Sequence, residues 1–185
     1  MYEPSGSSPA LFSPCRRFAL FIVLICIVIA APLSAQNRTA DPNDCGIPDV
    51  SFDVKTRGNQ HPVAQPEPGK ALIYFFQDDS LFGEIPRPTS RYAIDGSWVG
   101  ATHANSYFYL SIPPGEHHLC TDWQDSDSQQ AAALHFTAQP GASYFFRAEN
   151  ISTRLQWSVR FEPIDSDEGL LLIRRFALAI SHPHK

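Results

Sequence analysis

The residues best equipped for chemistry stand together in "PPGEHHLC", Pro113 to Cys120, where Glu116, His117, His118 and Cys120 follow the Pro114-Gly115 turn. Carboxylate, imidazole and thiolate are the groups that bind zinc, and a cysteine beside histidine can act as a nucleophile. The local geometry limits both readings. In a strand, alternate residues point to opposite faces. Glu116, His118, Cys120 and Asp122 then share one face, and His117, Leu119, Thr121 and Trp123 share the other. The adjacent histidines cannot both hold one ion without a bulge. Leu119 and Trp123 mark the core side, which makes His117 an inward structural residue beside the turn, hydrogen-bonded to backbone.

A zinc site built from His118, Cys120 and a distant His103 or His135 is the sharper rival. Its functional form is a metal-dependent hydrolase using His117 or His118. Zinc needs three or four converging ligands, usually with short paired spacings, and His118-x-Cys120 is the only close pair on one face. No G-x-S-x-G motif is present, so nucleophilic catalysis has no local signature. Asp78 and Asp79 read as solvated acids at a strand end, and Asp165 to Glu168 as the charged start of a helix. No catalytic residue, metal ligand or cofactor is assigned. Four aromatics on strand faces or near turns, Trp98, Tyr107, Tyr109 and Trp157, are the candidate contact surface. The plainer reading of these four is that the N-terminal strap or the C-terminal helix covers them.

The elements that position these residues are mostly strands. "KALIYFF", Lys70 to Phe76, is apolar on both faces, as a central strand would be. Asp95-Gly96 lies between short strand-like runs, the signature of a tight hairpin turn. "SYFYLSI", Ser106 to Ile112, alternates and ends at Pro113-Pro114-Gly115, after which "EHHLCTDW" returns as its partner strand. "LHFTA", "SYFFRA" and "LQWSVRFEP" continue the pattern, and "VSFDVKT", Val50 to Thr56, offers an early strand. The spacing predicts an all-β, Ig-like or transthyretin-like antiparallel sandwich of about seven strands. One C-terminal helix is expected over Asp165 to Ala179, with Leu170, Ile173 and Ala177 on one face and "SHPHK" as a tail.

Arg16 and Arg17 precede the uncharged run Phe18 to Ala31, which is too short for an ordinary span and fits a signal peptide cut after Ala35. An uncleaved N-terminal anchor is the alternative. The expected organisation is 1–35 targeting segment, 36–69 leader and proline-rich strap, 70–163 sandwich, and 164–185 helix and tail. Cleavage removes Cys15 and Cys26 and leaves Cys45 and Cys120, a disulfide pair for an oxidising compartment. The formal net charge of -5 argues against a nucleic-acid partner. Asn37 and Asn150 sit in glycosylation-type motifs.

The segments "GKALIYFF", "YAIDGSWVGA", "NSYFYLSIPPGEHHL" and "AQPGASYFFRA" stand in an order and spacing that resembles the bacterial envelope family called domain of unknown function 2846. The likeness covers about Gly69 to Pro163. It implies a secreted, periplasmic or lipid-anchored β-domain of unassigned activity, with histidine at the position of His117 and no catalytic residue to transfer. The chain departs from lipoprotein members of that family: Cys26 lies inside the apolar run without a small residue before it. The expectation is therefore a non-enzymatic module in the periplasm or outside the cell. Its partner would be an envelope protein or cell-wall component, and it would touch a membrane only through an uncleaved N-terminus.

Overall fold

The computed structural model describes Cys45, residues 50–124 and residues 130–184. The targeting segment, the Asn37 motif and most of the leader lie outside the described residues. Among those residues, ten strands and one helix form a sandwich-like all-β fold. They are β1 (Ser51–Arg57), β2 (Ala71–Leu81), β3 (Thr89–Ile94), β4 (Ser97–His103), β5 (Ser106–Ile112), β6 (Gly115–Trp123), β7 (Ala131–Ala138), β8 (Ser143–Ser152), β9 (Trp157–Ile164), α1 (Ser166–Arg175) and β10 (Ala177–His184). One sheet runs β1-β10-β5-β2-β8-β9 and the other β4-β3-β6-β7.

The two-sided apolar run of β2 explains the layering. Ala71, Ile73 and Phe75 point between the sheets, where Tyr92, Leu119, Ile112, Phe146 and Phe161 meet them. Leu72, Tyr74 and Phe76 point the other way, beneath α1, against Tyr107, Phe145, Leu172, Ile173 and Phe176. A strand packed on both faces has no use for polar alternation. The proline-rich strap also lies on this second face. Ala64 N donates to Tyr74 Oη (2.8 Å), and His61 Nδ1 lies 2.8 Å from the carbonyl of Ile173 in the last turn of α1.

The start of α1 follows its sequence signals. Asp165 is the N-cap, its carboxylate accepting the Glu168 N–H at 2.8 Å. Glu168 pairs with Arg147 instead of reaching back to the cap. Gly169 is required by packing: a Cβ there would stand 2.4 Å from the Phe145 ring. The helix stops at Arg175, short of the expected Ala179, and residues 177–184 form a strand instead of a helix end and tail. Phe176 turns to extended backbone, and β10 takes the gap between β1 and β5. A vacant ladder with donors and acceptors on both sides outweighs weak helix propensity in a run containing Ile, Ser, His and Pro.

Strand β10 pairs with β1 from Leu178 to His184 but with β5 at only Ala177 and Leu178. It then approaches the other sheet, where Ser181 Oγ accepts from the Ala101 N–H at 3.2 Å. The sandwich thus takes in residues 51–57 and 177–184, beyond the expected 70–163, has more strands than expected, and is not antiparallel throughout, because β2 pairs with β8 and β10 with β5 in parallel.

Candidate functional site

The opening cluster resolves into two faces of β6. Leu119, Thr121 and Trp123 are buried on the inner side. His117 stands at the rim beside the Pro113–Gly115 turn, its side chain 10% exposed. Its Nδ1 is 2.7 Å from Asp95 Oδ2 and its Nε2 2.9 Å from the carbonyl oxygen of Pro113. Asp95 also accepts the His118 N–H through Oδ1 at 2.9 Å. Asp95 and Gly96 both have positive φ, 50° and 75°, as the hairpin turn between β3 and β4 demands. Gly115 has φ 137°. Burial works against the charged imidazole, but Asp95 and the Pro113 carbonyl outweigh it and hold the His117 pKa above its ordinary value. Burial likewise opposes the Asp95 carboxylate, and the His118 N–H and His117 outweigh it and hold its pKa low.

On the outer side, Cys120 is bonded to Cys45 with Cα atoms 5.3 Å apart, across a separation of 75 positions. The pair is buried with Ala93 and Ala133, and Trp98 and Ala131 pack against them. Beside it, Arg91 forms a two-pronged ion pair with Asp122 (2.8 and 2.7 Å) and lies 4.4 Å over the Trp98 ring. This pair was not singled out in the sequence; it follows from the β3–β6 register, which sets Arg91 opposite Asp122.

The zinc set named from sequence is not assembled. Cys120 is in the disulfide, and His103 bonds Thr89 (3.2 Å) at the far end of β4. His118 faces His135 alone. Among the described residues no group of three or more His, Cys, Asp or Glu is placed to hold a metal.

The four aromatics separate. Tyr107, named as a contact residue, is fully buried beneath α1 in the Tyr74–Phe76 layer, because the helix packs on the outward face of β5 and β2. Its hydroxyl has no hydrogen-bond partner among the described residues, and burial pushes its pKa up to about 12. Tyr109 is half-buried against Tyr74, ring centroids 5.4 Å apart. Trp98 helps line a cleft of about 380 Å³ formed by Val50, Phe52, Val99, Ser181 and Pro183 where β10 nears β4. Trp157 is 47% exposed.

Trp157 does not stand alone. Leu81 (53% exposed), Ile85 (90%) and Leu155 (97%) are exposed at the same end of the sandwich. The loops carrying them are joined: Gly83 N donates to Ser152 Oγ at 2.8 Å, Phe82 lies 6.3 Å from the Trp157 ring, and Leu81 pairs with Ile151. Large apolar side chains clustered in water are informative in a way that single ones are not.

Beneath this end lies a buried polar network that corrects the reading of Asp78 and Asp79 as solvated. Asp79 is 2% exposed. It accepts from Gln77 Nε2 (3.0 Å) and Asn150 Nδ2 (2.7 Å), while Asn150 Oδ1 accepts from Trp123 Nε1 (2.8 Å). Gln77 Oε1 accepts from Thr102 Oγ1 (2.9 Å). Burial raises the Asp79 pKa more than these bonds lower it. Strand β2 runs on to Leu81, so Asp79 remains between the sheets instead of reaching a loop. Asn150 is fully buried in this network and is no glycan acceptor.

The family described as "Protein of unknown function (DUF2846)" matches residues 67–159. An uncharacterized protein of Haemophilus influenzae strain Rd is 25% identical over 117 residues, covering 63% of this chain and 66% of that protein, just under two thirds of its length.

Proposed function

The chain belongs to the DUF2846 family, a family of unknown function, and from that premise we propose that it is an exported, non-enzymatic envelope module that binds a partner protein through the loop end of its sandwich. The observation that carries this reading is the exposed apolar set Leu81, Ile85, Leu155 and Trp157 on two joined loops and the strand ends that flank them. Removing such side chains from water drives association, at about 25 cal/mol per Å² of apolar surface. Aliphatic tips give little to recognition of a cell-wall glycan, which wants flat aromatics and hydrogen-bonding groups. That chemistry favours a protein over a glycan. Export is supported by the apolar run behind Arg16 and Arg17 and by the Cys45–Cys120 disulfide, a bond suited to an oxidising compartment. The hydrolase reading gains no support, since His117 uses both ring nitrogens on Asp95 and the Pro113 carbonyl.

The test is a photo-crosslinking residue at Leu155 in the envelope of the producing cell. A discrete protein adduct, lost on Ile85→Asp with the fold retained, is the expected result. Adducts only to glycan or lipid, or an adduct indifferent to Ile85→Asp, would overturn the reading. Fractionation tests export separately, with the chain expected outside the cytoplasm.

A further inference from the structure

The outer face of β6 and β7 carries a pair of histidines with no structural task. His118 and His135 are directly opposite in the ladder. Their rings are stacked, centroids 4.3 Å apart and planes 7° from parallel. His118 is half-buried and His135 exposed. Neither ring makes a hydrogen bond among the described residues, unlike His117. We propose that His118 and His135 form a capture site for one divalent transition-metal ion of the zinc, nickel and copper class.

The ladder brings the two side chains within chelating reach, and the rings must turn out of their stack to chelate. In the stack the two ring planes are nearly parallel, so their in-plane nitrogen lone pairs do not point to a common centre. Two metal–nitrogen bonds of about 2.0–2.1 Å span about 3.3 Å at a tetrahedral centre. Both rings must therefore rotate about their side-chain torsions to aim one nitrogen each at the ion, the exposed His135 ring the more freely. Opposed positions on neighbouring strands supply the rest, because the ladder holds the two Cβ atoms together before any ion arrives. Neutral imidazole is the ligand form, and it suits zinc, nickel and copper over calcium and magnesium. The surroundings favour a cation: the Asp95 carboxylate holds the His118 N–H, and Glu116 stands two positions away on the same face. Water completes the coordination, so this is a two-ligand capture site, not a closed structural one. It differs from the set expected from sequence, since Cys120 offers no thiolate.

The experiment uses the purified chain with its disulfide intact and no polyhistidine tag. Zn(II) and Ni(II) are titrated by calorimetry, with Mg(II) as the hard-cation control. The expected result is one equivalent of Zn(II) or Ni(II) bound and none of Mg(II). Affinity should fall roughly tenfold or more in both His118→Gln and His135→Gln, and stay unchanged in His103→Gln. Circular dichroism confirms the fold, and histidine ring signals by NMR should move on Zn(II) addition for His118 and His135 alone. No saturable binding by the unaltered chain, or binding that survives the double variant, would overturn the proposal.

Discussion

Asp95 Oδ2 lies 2.7 Å from His117 Nδ1 and so ties the β3–β4 turn to the start of β6. The His117 pKa is raised and the Asp95 pKa lowered in the folded chain. A raised histidine contributes stability in full below its unfolded pKa of about 6.5, and that contribution is lost as pH rises through the folded value. A lowered carboxylate contributes above about 3.9 and is lost as pH falls through its folded value. The pair therefore helps most between those limits. The stability advantage of the unaltered chain over Asp95→Asn should be larger near about pH 5.5 than near about pH 9. Urea midpoints at the two pH values check this; an equal advantage at both would remove the ion pair from the account.

His117→Ala should destabilise by about 1–3 kcal/mol, through a small cavity and a Pro113 carbonyl left without its partner. His118→Ala, on the solvated face, should cost clearly less. Denaturation midpoints of the two variants, disulfide intact in both, decide the matter. A larger loss for His118→Ala would mean that the two faces of β6 had been exchanged.

Cys45 and Cys120 should be recovered as a linked peptide pair by non-reducing mass spectrometry of protein isolated from the producing cell under thiol-blocking conditions. Closing a loop of 75 positions contributes on the order of 4 kcal/mol in the chain-entropy account. Reduction should therefore lower the urea midpoint markedly. Two free thiols in protein so isolated would contradict the bond.

Gly169→Ala should destabilise despite better helix propensity. Propensity favours alanine by about 1 kcal/mol, while overpacking typically costs 1–3 kcal/mol. The added methyl would stand 2.4 Å from Phe145, so overpacking wins. A thermal midpoint at or above that of the unaltered chain would show that Phe145 gives way freely.

Asp79 titrates in the opposite sense to Asp95. Its pKa is raised by burial, so the folded chain holds the proton longer and stability falls as pH rises above about 3.9. Asp79→Asn removes that loss while keeping the shape. The difference in midpoint between the variant and the unaltered chain should move in favour of asparagine from about pH 4 to about pH 7. Movement the other way would mean that the network needs the ionised form.

Local signals carried the strands well, because period-two alternation and Asp-Gly or Pro-Gly turns act within a few residues. Asp95-Gly96 lies where those signals put it, but the Pro-Gly turn after β5 carries the chain across to the other sheet, so β6 pairs with β3 and β7 and is not the partner strand of β5 that the local pattern suggested. The two-sided apolarity of β2 marked it as central. What stayed hidden depends on which strands become neighbours. The burial of Asp79 follows from Asn150 and Gln77, 71 and 2 positions away, meeting it between the sheets. The Arg91–Asp122 pair and the His118–His135 stack are products of register. The fate of residues 177–184 was decided by a vacancy between β1 and β5 that no local pattern advertises.

The position of β10 has a bearing on when the chain can fold. It is made after every strand it joins, yet it sits inside the sheet, between β1 and β5. Until residues 177–184 emerge, β1 has no neighbour and the outer edge of β5 is bare. The order of synthesis therefore withholds the completed sheet from a nascent chain until residues 177–184 are made.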